Sequence, residues 1–405
     1  MLNIEEIYNF KIFSDNNYRI QTGGLNLAMN KKEGIFFVFL TIFGFILFFL
    51  IFYPESNNKK IIILGAIIGF LINLLLFFLE KYKNHMKVKK FLIRINILET
   101  FLITCLVISL LTIGGIIVYD NYLAPKAEWS IGIYRSESYE PMNFSGEHFH
   151  NPVLTKDDIS DTKAGFIADP FLFYENNTFY LFFEVYNTIT LQGDIGLAES
   201  NDCTNWSYKK IVLDEPFHLS YPCVFEYNNE YYMIPETNAV KAIRLYKADN
   251  FPYNWSFVKT IASGGNFADN TIFYFNSTWW LFTETDNNDV LRLYYSDSLF
   301  GLWEEHPLSP IISGDSNITR PGGNVIIFNN RIFRFAQDDY PNYGNQIWAF
   351  EITTLTKQDY KEEKIDEKPF LKGYDKWNEQ GIHQISICRI ANNNWVAAID
   401  GHGFP

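Results

Sequence analysis

The chain has 405 residues, a formal net charge of −13 and 18% aromatic residues. Because a surface that binds phosphates needs a basic patch, this acidity argues against nucleic acid as the main partner. The four cysteines, Cys105, Cys203, Cys223 and Cys388, show neither a CxxC motif nor metal-ligand spacing. We interpret them as small buried residues, with a Cys203–Cys223 disulfide left open as an alternative.

The first third of the chain has the composition of a membrane segment. Residues 1–33 are polar and do not form a signal peptide. Three apolar stretches without a charged residue follow at 35–53, 61–79 and 101–118. Each is close to the roughly 20 residues that cross a bilayer as a helix. We predict three transmembrane helices within residues 34–120, and we interpret them as an anchor because they contain no internal ionisable pair.

Basic residues between the second and third stretches set the predicted orientation. They are Lys81, Lys83, Lys87, Lys89, Lys90 and Arg94. Positively charged loops favour the cytoplasmic side of a membrane. We therefore predict that this loop and residues 1–33 are cytoplasmic. Everything after Tyr119 would then be extracytoplasmic, in a multi-pass protein of the cell membrane.

The remainder of the chain, residues 127–405, is organised around a repeated hairpin. Its first copy opens at Asp169-Pro170, turns at Asn176-Asn177 and closes on Glu184. An Asx-rich turn between aromatic or β-branched runs predicts a β-hairpin. Four further copies open at Tyr221, Asp269, Arg320 and His383, and they close at Glu236, Glu284, Gln337 and Asp400.

The strands that follow these hairpins predict the fold. A third strand follows each of the first four hairpins, and a fourth follows at 208–213 and 255–261. Four strands in about 50 residues are the signature of a β-propeller blade. The fifth hairpin ends the chain, but residues 129–134 match a third strand and 151–154 a fourth. Because such sharing closes the ring and removes free sheet edges, we predict an all-β, five-bladed propeller.

In a propeller, the opening and closing residues of each hairpin lie at the same mouth of the ring. Six of these ten residues are carboxylates, and Asp338 and His402 lie beside two of the closers. Aromatic residues, namely Tyr186, Tyr340 and Tyr343, are predicted at the same mouth. Carboxylates that bind hydroxyls, next to rings that stack on sugars, favour a carbohydrate ligand. A purely structural role, in which these side chains join neighbouring blades, stays open.

The order of the motifs resembles the N-terminal domain of the plant glucosamine inositolphosphorylceramide transferases and their prokaryotic relatives. The residues that carry the resemblance are Ile167-Ala168-Asp169-Pro170-Phe171, Tyr221-Pro222 with Ile234-Pro235-Glu236-Thr237, Ala268-Asp269 with Trp279-Trp280-Leu281-Phe282, Arg320-Pro321-Gly322-Gly323-Asn324, Ala336-Gln337-Asp338 and Gly381-Ile382-His383. It covers about residues 129–402; the membrane segment and the family's C-terminal transferase domain lie outside it. The resemblance implies a glycan or glycolipid substrate at a membrane.

More distantly, the ring is similar to the five-bladed furanosidase-type glycoside hydrolases. That resemblance implies a nucleophile or base at Asp169 and a second acid at Asp269. Those hydrolases take their general acid from a later blade, where this sequence has Arg320. Glycoside hydrolysis needs two carboxyls, so Glu236, Glu284 or Asp338 stay open for that role. Arg320 offers a fork for a phosphate or carboxylate, or pairs with Asp269 or Asp338.

We therefore predict a carbohydrate-active propeller that works in glycosyl transfer during the assembly of a cell-surface glycan or glycolipid. A non-catalytic glycan-binding propeller and a furanosidase-type glycoside hydrolase are the alternatives. We expect catalytic roles for Asp169, Asp269 and Glu236. Substrate contacts are predicted for Arg320, Glu184, Tyr221, Glu284, Gln337, Asp338 and His383. We expect no cofactor and no metal, since His383 and His402 are isolated histidines in the sequence.

Impermeant thiol labelling of intact cells tests the predicted orientation. A cysteine introduced at Lys87 should stay unlabelled, because its loop is predicted to be cytoplasmic. A cysteine at Ser56, in the link between the first two stretches, is the control and should react. Labelling at Lys87 would show that the orientation is wrong.

Overall fold

The computed structural model describes residues 17–22, 25–30, 114 and 126–405. The chain divides into two units, Met1–Ala124 and Pro125–Pro405. In the first unit, β1 (Asn17–Thr22) and β2 (Leu25–Asn30) form an antiparallel pair. Apart from Gly114, the three predicted transmembrane helices lie outside the described residues. Among the residues that are described, no helix is long and apolar enough to cross a membrane.

The second unit is the predicted five-bladed propeller, built from five antiparallel sheets. Its first strand is β3 (Glu128–Ser136). Blade I consists of β4 (Ala164–Glu175), β5 (Thr178–Asn187), β6 (Gln192–Ser200) and β7 (Ser207–Leu213). Blade II consists of β8 (Ser220–Tyr227), β9 (Glu230–Glu236), β10 (Ala242–Asn250) and β11 (Asn254–Ser263).

The next two blades have short outer strands. Blade III consists of β12 (Ala268–Phe275), β13 (Thr278–Thr285), β14 (Val290–Ser296), β15 (Glu304–Glu305) and β16 (Ile312–Ser313). Blade IV consists of β17 (Ile326–Phe328), β18 (Arg331–Asp338), β19 (Gln346–Leu355), β20 (Tyr360–Lys364) and β21 (Leu371–Lys372). Two single-turn 3-10 helices, Lys156–Asp158 and Asn238–Val240, lie in connections.

Blade V joins the two ends of the domain and closes the ring. It consists of β22 (Ile385–Ala391), β23 (Asn394–Gly403) and β3, in that order. The pairing of β23 with β3 runs without interruption from Trp395 opposite Ser136 to Gly403 opposite Glu128. The predicted third strand at 129–134 is thereby confirmed. The predicted fourth strand at 151–154 is reduced to a single bridge between Leu154 and Ile131.

Local sequence explains the tight hairpins at the end of each blade opposite the mouth. In four blades both turn residues have a left-handed backbone, which asparagine tolerates and which matches the twist of the flanking strands. The turn pairs are Asn176-Asn177, Asn228-Asn229, Asn276-Ser277 and Asn329-Asn330. These turns set the register that brings each opening residue back beside its closing residue.

The apolar core lies between neighbouring blades. Five buried clusters form, one at each blade-to-blade interface. The cluster between blades III and IV, for example, contains Phe282 and Ile332. Cys203 and Cys223 are free thiols in two different clusters, so the alternative of a disulfide between them is not realised.

The floor of the ring is closed by polar side chains that cross its centre. The hydroxyl of Tyr221 lies 2.8 Å from the Thr271 hydroxyl and accepts from the backbone N–H of Gly323 at 2.8 Å. A Cβ at Gly323 would lie 1.7 Å from the carbonyl oxygen of Ile385, so a side chain does not fit there. These contacts connect blades II, III and IV across the ring, and we refer to the mouth above them as the bowl.

Deleting residues 129–134 tests ring closure. The deletion removes most of β3 and exposes the edge of β23, which we expect to give protease-sensitive or insoluble protein. Removing the exposed loop residues 366–368 is the control and should leave the protease resistance of the full-length protein unchanged. Equal resistance of the two deletion variants would contradict the shared blade.

Candidate functional site

The opening residues of blades I to III have a special backbone conformation. Asp169, Tyr221 and Asp269 all have positive φ, at 55°, 45° and 51°. Each lies where the register of the inner strand pair shifts, as in a β-bulge. Bulges redirect side chains, and buried non-glycine residues with positive φ cluster at functional sites. The strained backbone marks the same positions that the repeat pattern selected.

A line of charged groups joins blade I to blade V at the mouth. The Nε2 atom of His383 lies 3.2 Å from Oδ1 of Asp169, and its Nδ1 lies 2.7 Å from Oδ2 of Asp400. All three residues are at most 5% exposed. Asp400 also accepts hydrogen bonds from the backbone N–H groups of Asp169, His383 and Gln384. Asp400 is thus a fixed anchor for both neighbours.

Asp169 has the contacts of an ionised carboxylate. One oxygen faces His383, and the other accepts from the backbone N–H of Tyr221 at 3.1 Å. Burial alone would lower the pKa of His383, but the carboxylates of Asp400 and Asp169 raise it well above its ordinary value. His383 is therefore a cation that forms ion pairs with both carboxylates.

A second ion pair joins blades III and IV. Arg320 donates from Nε to Oδ2 of Asp269 at 2.6 Å and from Nη2 to Oδ1 at 3.3 Å. The Gln337 amide also donates to Oδ2 of Asp269. Glu236 accepts from the backbone N–H of Asp269 at 3.1 Å and lies 3.8 Å from Arg320. The guanidinium group of Arg320 thus binds Asp269. An ion pair with Asp269 was one of the two roles predicted for Arg320.

The three glutamates of the mouth have raised pKa values. Burial is the main cause for Glu184, and Asp169 adds to it. Burial followed by Asp269 raises the pKa of Glu236 well above its ordinary value, against the opposing effect of Arg320. Burial raises the pKa of Glu284 to about 7, although Arg320 opposes it. The mouth therefore combines ion-paired aspartates with glutamates whose pKa values are raised.

Two residues predicted to contact substrate are held by the framework instead. The phenol of Tyr221 is fully buried and forms part of the floor. Asp338 accepts from the Gln346 amide at 2.7 Å and from the Trp348 indole at 3.1 Å, both on the neighbouring strand. Because side chains alternate along a strand, Gln337 faces Asp269 while Asp338 faces away. Their roles in binding stay predictions.

Trp129 and Asn288 did not stand out in the sequence as residues of the mouth, whereas Tyr343 was predicted there. Trp129 packs against His383 with ring centroids 4.3 Å apart, and Tyr343 lies over Arg320 at 5.3 Å. Asn288 accepts from Arg320 at 3.0 Å and donates its backbone N–H to Glu284 at 2.6 Å. Asn288 lies four residues after the closer Glu284, and this short distance along the chain could have indicated that it is near the mouth.

The group Asp169, His383 and Asp400 also has the separation of a metal site, with one ligand atom from each within 4.8 Å of the others. Both ring nitrogens of His383 already face carboxylates, and Asp400 already accepts three backbone N–H groups. A charged imidazole thus accounts for the arrangement. The geometry fits an imidazolium between two carboxylates better than it fits a metal.

Comparison with known proteins identifies the family. The model of the N-terminal domain of glucosamine inositolphosphorylceramide transferase 1 matches residues 125–402. The chain belongs to this family. It is 36% identical over 304 residues to glucosamine inositolphosphorylceramide transferase 1 of Oryza sativa subsp. indica, covering 69% of this chain and 41% of that protein. The transferase of the same name from Arabidopsis thaliana is 34% identical over 302 residues, covering 68% and 39%. The chain thus spans about two-fifths of the length of these relatives.

Solved structures with a similar course of chain include two α-L-arabinofuranosidases. The catalytic domain of the Coprinopsis cinerea enzyme is 14% identical with a TM-score of 0.48, covering 69% of this chain and 98% of that one. The Podospora anserina enzyme is 11% identical with a TM-score of 0.45, covering 59% and 91%. These likenesses are too weak to indicate an activity.

The raised pKa of Glu284 predicts how stability depends on pH. A carboxyl whose pKa is raised on folding stabilises the protein at low pH, and this contribution is lost as the pH rises from 4.5 through about 7. Between pH 5 and pH 8 the loss of this contribution should lower the free energy of unfolding by roughly 2–3 kcal/mol. Glu284→Gln should remove that part of the pH dependence in urea titrations of the full-length protein. The control, Glu367→Gln at an exposed position, should keep it, and equal slopes for both variants would contradict the assignment.

Proposed function

We propose that this protein is a membrane-anchored, extracytoplasmic propeller that takes part in glycosyl transfer on a glycolipid. The family supports this proposal, because its curated relatives are named glucosamine inositolphosphorylceramide transferase 1. The three apolar stretches and the basic loop between the second and the third support the anchor and its orientation. A lipid-borne acceptor suits a domain tethered next to the bilayer.

One observation carries the chemistry: the mouth contains carboxyl groups in two opposite states. Asp169 faces His383 with one oxygen and accepts from the Tyr221 backbone with the other, whereas burial raises the pKa of Glu184 well above its ordinary value. Environments that push the pKa values of neighbouring acids apart separate a base from an acid. In this proposal Asp169 takes the proton of the attacking hydroxyl. A neutral glutamate gives a proton to the oxygen of the leaving group, which is the nucleotide phosphate of an activated donor sugar.

The other predicted catalytic residues support this pair. Asp269 is neutralised by Arg320, and Glu236 holds the backbone N–H of Asp269. A buried ion pair of this kind fixes geometry, and breaking it leaves a buried charge without a partner. We propose that Asp269, Arg320 and Glu236 hold the wall of the bowl opposite Asp169. The exposed ring of Tyr343 above Arg320 offers a face for a sugar.

A specific observation also favours the non-catalytic alternative. Asp169 is only 5% exposed, and each of its oxygens already has a partner. A glycan recognised by Trp129 and Tyr343 at the rim would need no reaction at this carboxylate. The two functions differ in what happens when the charge of Asp169 is removed.

Asp169→Asn distinguishes the two candidates. If Asp169 is the base, turnover of inositolphosphorylceramide with a nucleotide-activated glucosamine should fall about 10²–10⁴-fold. The melting temperature should fall but the protein should stay folded, because the amide oxygen can still accept from Tyr221 and Asp400 still pairs with His383, although the ion pair between His383 and residue 169 is lost. The control, Asp297→Asn at an exposed salt bridge with Lys357, should behave like wild type.

The outcomes for this variant separate the functions. Turnover by the variant at the wild-type rate would exclude the catalytic role of Asp169. Binding of the same lipid headgroup without any product, in wild type and variant alike, would favour the glycan-binding alternative.

A further inference from the structure

Next to the mouth, His218 is held in a single protonation form. Its Nδ1 accepts a hydrogen bond from the backbone N–H of Gly193 at 2.8 Å. An imidazole nitrogen that accepts carries no proton, so the neutral ring must carry its proton on Nε2. Burial lowers the pKa of His218, which favours the same neutral form. This Nε2–H group lies 3.5 Å from Oε1 of Glu184.

Gly193 provides the space in which the two side chains meet. A Cβ at this position would lie 2.6 Å from Oε1 of Glu184 and 2.9 Å from Cε1 of His218. It would also lie 2.3 Å from the carbonyl oxygen of Leu219. Only glycine fits, so its backbone both orients His218 and leaves room for the carboxyl group of Glu184.

Glu184 is the glutamate of the mouth with a free oxygen. Its Oε1 is buried and has no hydrogen-bond partner among the described residues. An oxygen of Glu236 accepts from the backbone of Asp269, and one of Glu284 accepts from the backbone of Asn288. Buried polar atoms without partners are rare, and each calls for an explanation. Glu184 is also the closer of blade I, and it pairs across the strands with Ala168, next to Asp169.

Charge distinguishes Glu184 in the same way. Asp169 is the nearby charge that affects the pKa of Glu184 most. The corresponding charge is Asp269 for Glu236 and Arg320 for Glu284. The charged or titratable groups that face Glu184 are Asp169 from β4, Glu236 from β9, Asp269 from β12, His383 before β22 and His218 before β8. Asp169 and Asp194 are the acids that act on His218. A negative Asp169 therefore works against a second negative charge at Glu184.

We propose that Glu184 is the proton donor of the mouth, and that His218 is the positioning residue that holds it. This inference rests on the proposed glycosyl transfer and names the acid that the transfer uses. His218 offers its Nε2–H to Oε1 of Glu184, so that oxygen takes the carbonyl role and Oε2 carries the acidic proton. The contact of 3.5 Å tightens when the substrate binds, as catalytic hydrogen bonds often do.

The proton balance of the step is simple. The Oε2–H bond of Glu184 breaks, and its proton moves to the phosphate oxygen of the nucleotide-activated glucosamine as the bond between that oxygen and the sugar carbon breaks, so that the protonated nucleotide leaves. The attacking hydroxyl bonds to the same carbon and passes its proton to Asp169. The side chain of His218 is 40% exposed, so solvent reaches Glu184 and Asp169 past it. Water then returns a proton to Glu184 and removes the proton from Asp169.

Infrared spectroscopy of the full-length protein tests the protonation of Glu184 without any substrate. Wild type at neutral pH should show a protonated carboxyl band that shifts in D2O, and Glu184→Gln should lose one component of it. His218→Phe should move the titration of that component to higher pH, because an Nε2–H donor stabilises the carboxylate more than the acid. The control, His148→Phe at an exposed position, should leave the band unchanged. A Glu184→Gln spectrum identical to that of wild type would overturn the proposal.

Turnover of inositolphosphorylceramide with a nucleotide-activated glucosamine gives the second readout. His218→Phe should lower kcat about 10-fold or more with little change in KM, and the alkaline limb of the pH profile should shift to higher pH. His218→Gln, whose amide N–H can still donate, should recover most of the rate. Equal loss in the Phe and Gln variants would indicate a structural role and contradict the positioning role.

These two readouts keep the failure of this proposal apart from the failure of the proposed function. If wild type shows no turnover while the Glu184 component responds to His218→Phe, glycosyl transfer with this acceptor is wrong and the pair stands. If turnover is present and Glu184→Gln keeps it, glycosyl transfer stands and Glu184 is not its acid.

Discussion

The pairing of β23 with β3 is the interaction on which both the ring and its mouth depend. It supplies blade V with its third strand and removes the free edges that an open ring would leave. The same strand β23 carries Asp400, which is opposite Ile131 in this pairing and fully buried. From there Asp400 binds the backbone of Asp169 in blade I and the ring of His383 at the entrance to blade V. The strand pairing that closes the ring thus also positions the residues of the site.

The shortage of cations in the mouth explains its electrostatics. The two cations found there are His383 and Arg320. His383 pairs with Asp169 and Asp400, and Arg320 pairs with Asp269. Removing a charge from water is costly unless it is paired, so the remaining buried carboxyls have their pKa values raised. This is the pattern seen for the glutamates at 184, 236 and 284. The positions of the two cations therefore determine which carboxyl groups are ion-paired and which have raised pKa values.

The sequence predicted the features that depend on local pattern. Asn-rich turns between aromatic runs fix the hairpins, and the constant offset from opener to closer brings Asp169, Asp269 and the three glutamates to one mouth. The direction of individual side chains was not predictable, because it depends on register and on bulges. Tyr221 opens a blade as Asp169 does, yet its phenol reaches across the floor to Gly323. Asp338 is one residue beyond a closer and therefore faces the opposite side of its strand. His218 lies in a connection where no strand pattern applies, and only the contact with Gly193 reveals it.

The central claim is that a sugar headgroup binds in the bowl between Asp169 and the neutral glutamates. The most direct measurement is a crystal structure of the full-length protein with the glycosylated inositol phosphate headgroup of the proposed lipid. We predict a sugar ring stacked on Tyr343, with the glycosidic oxygen, which comes from the attacking hydroxyl, within hydrogen-bond distance of Asp169 and with Glu184 facing the opposite side of the same sugar carbon. A headgroup bound outside the mouth, with Asp169 still sealed between His383 and Tyr221, would contradict it.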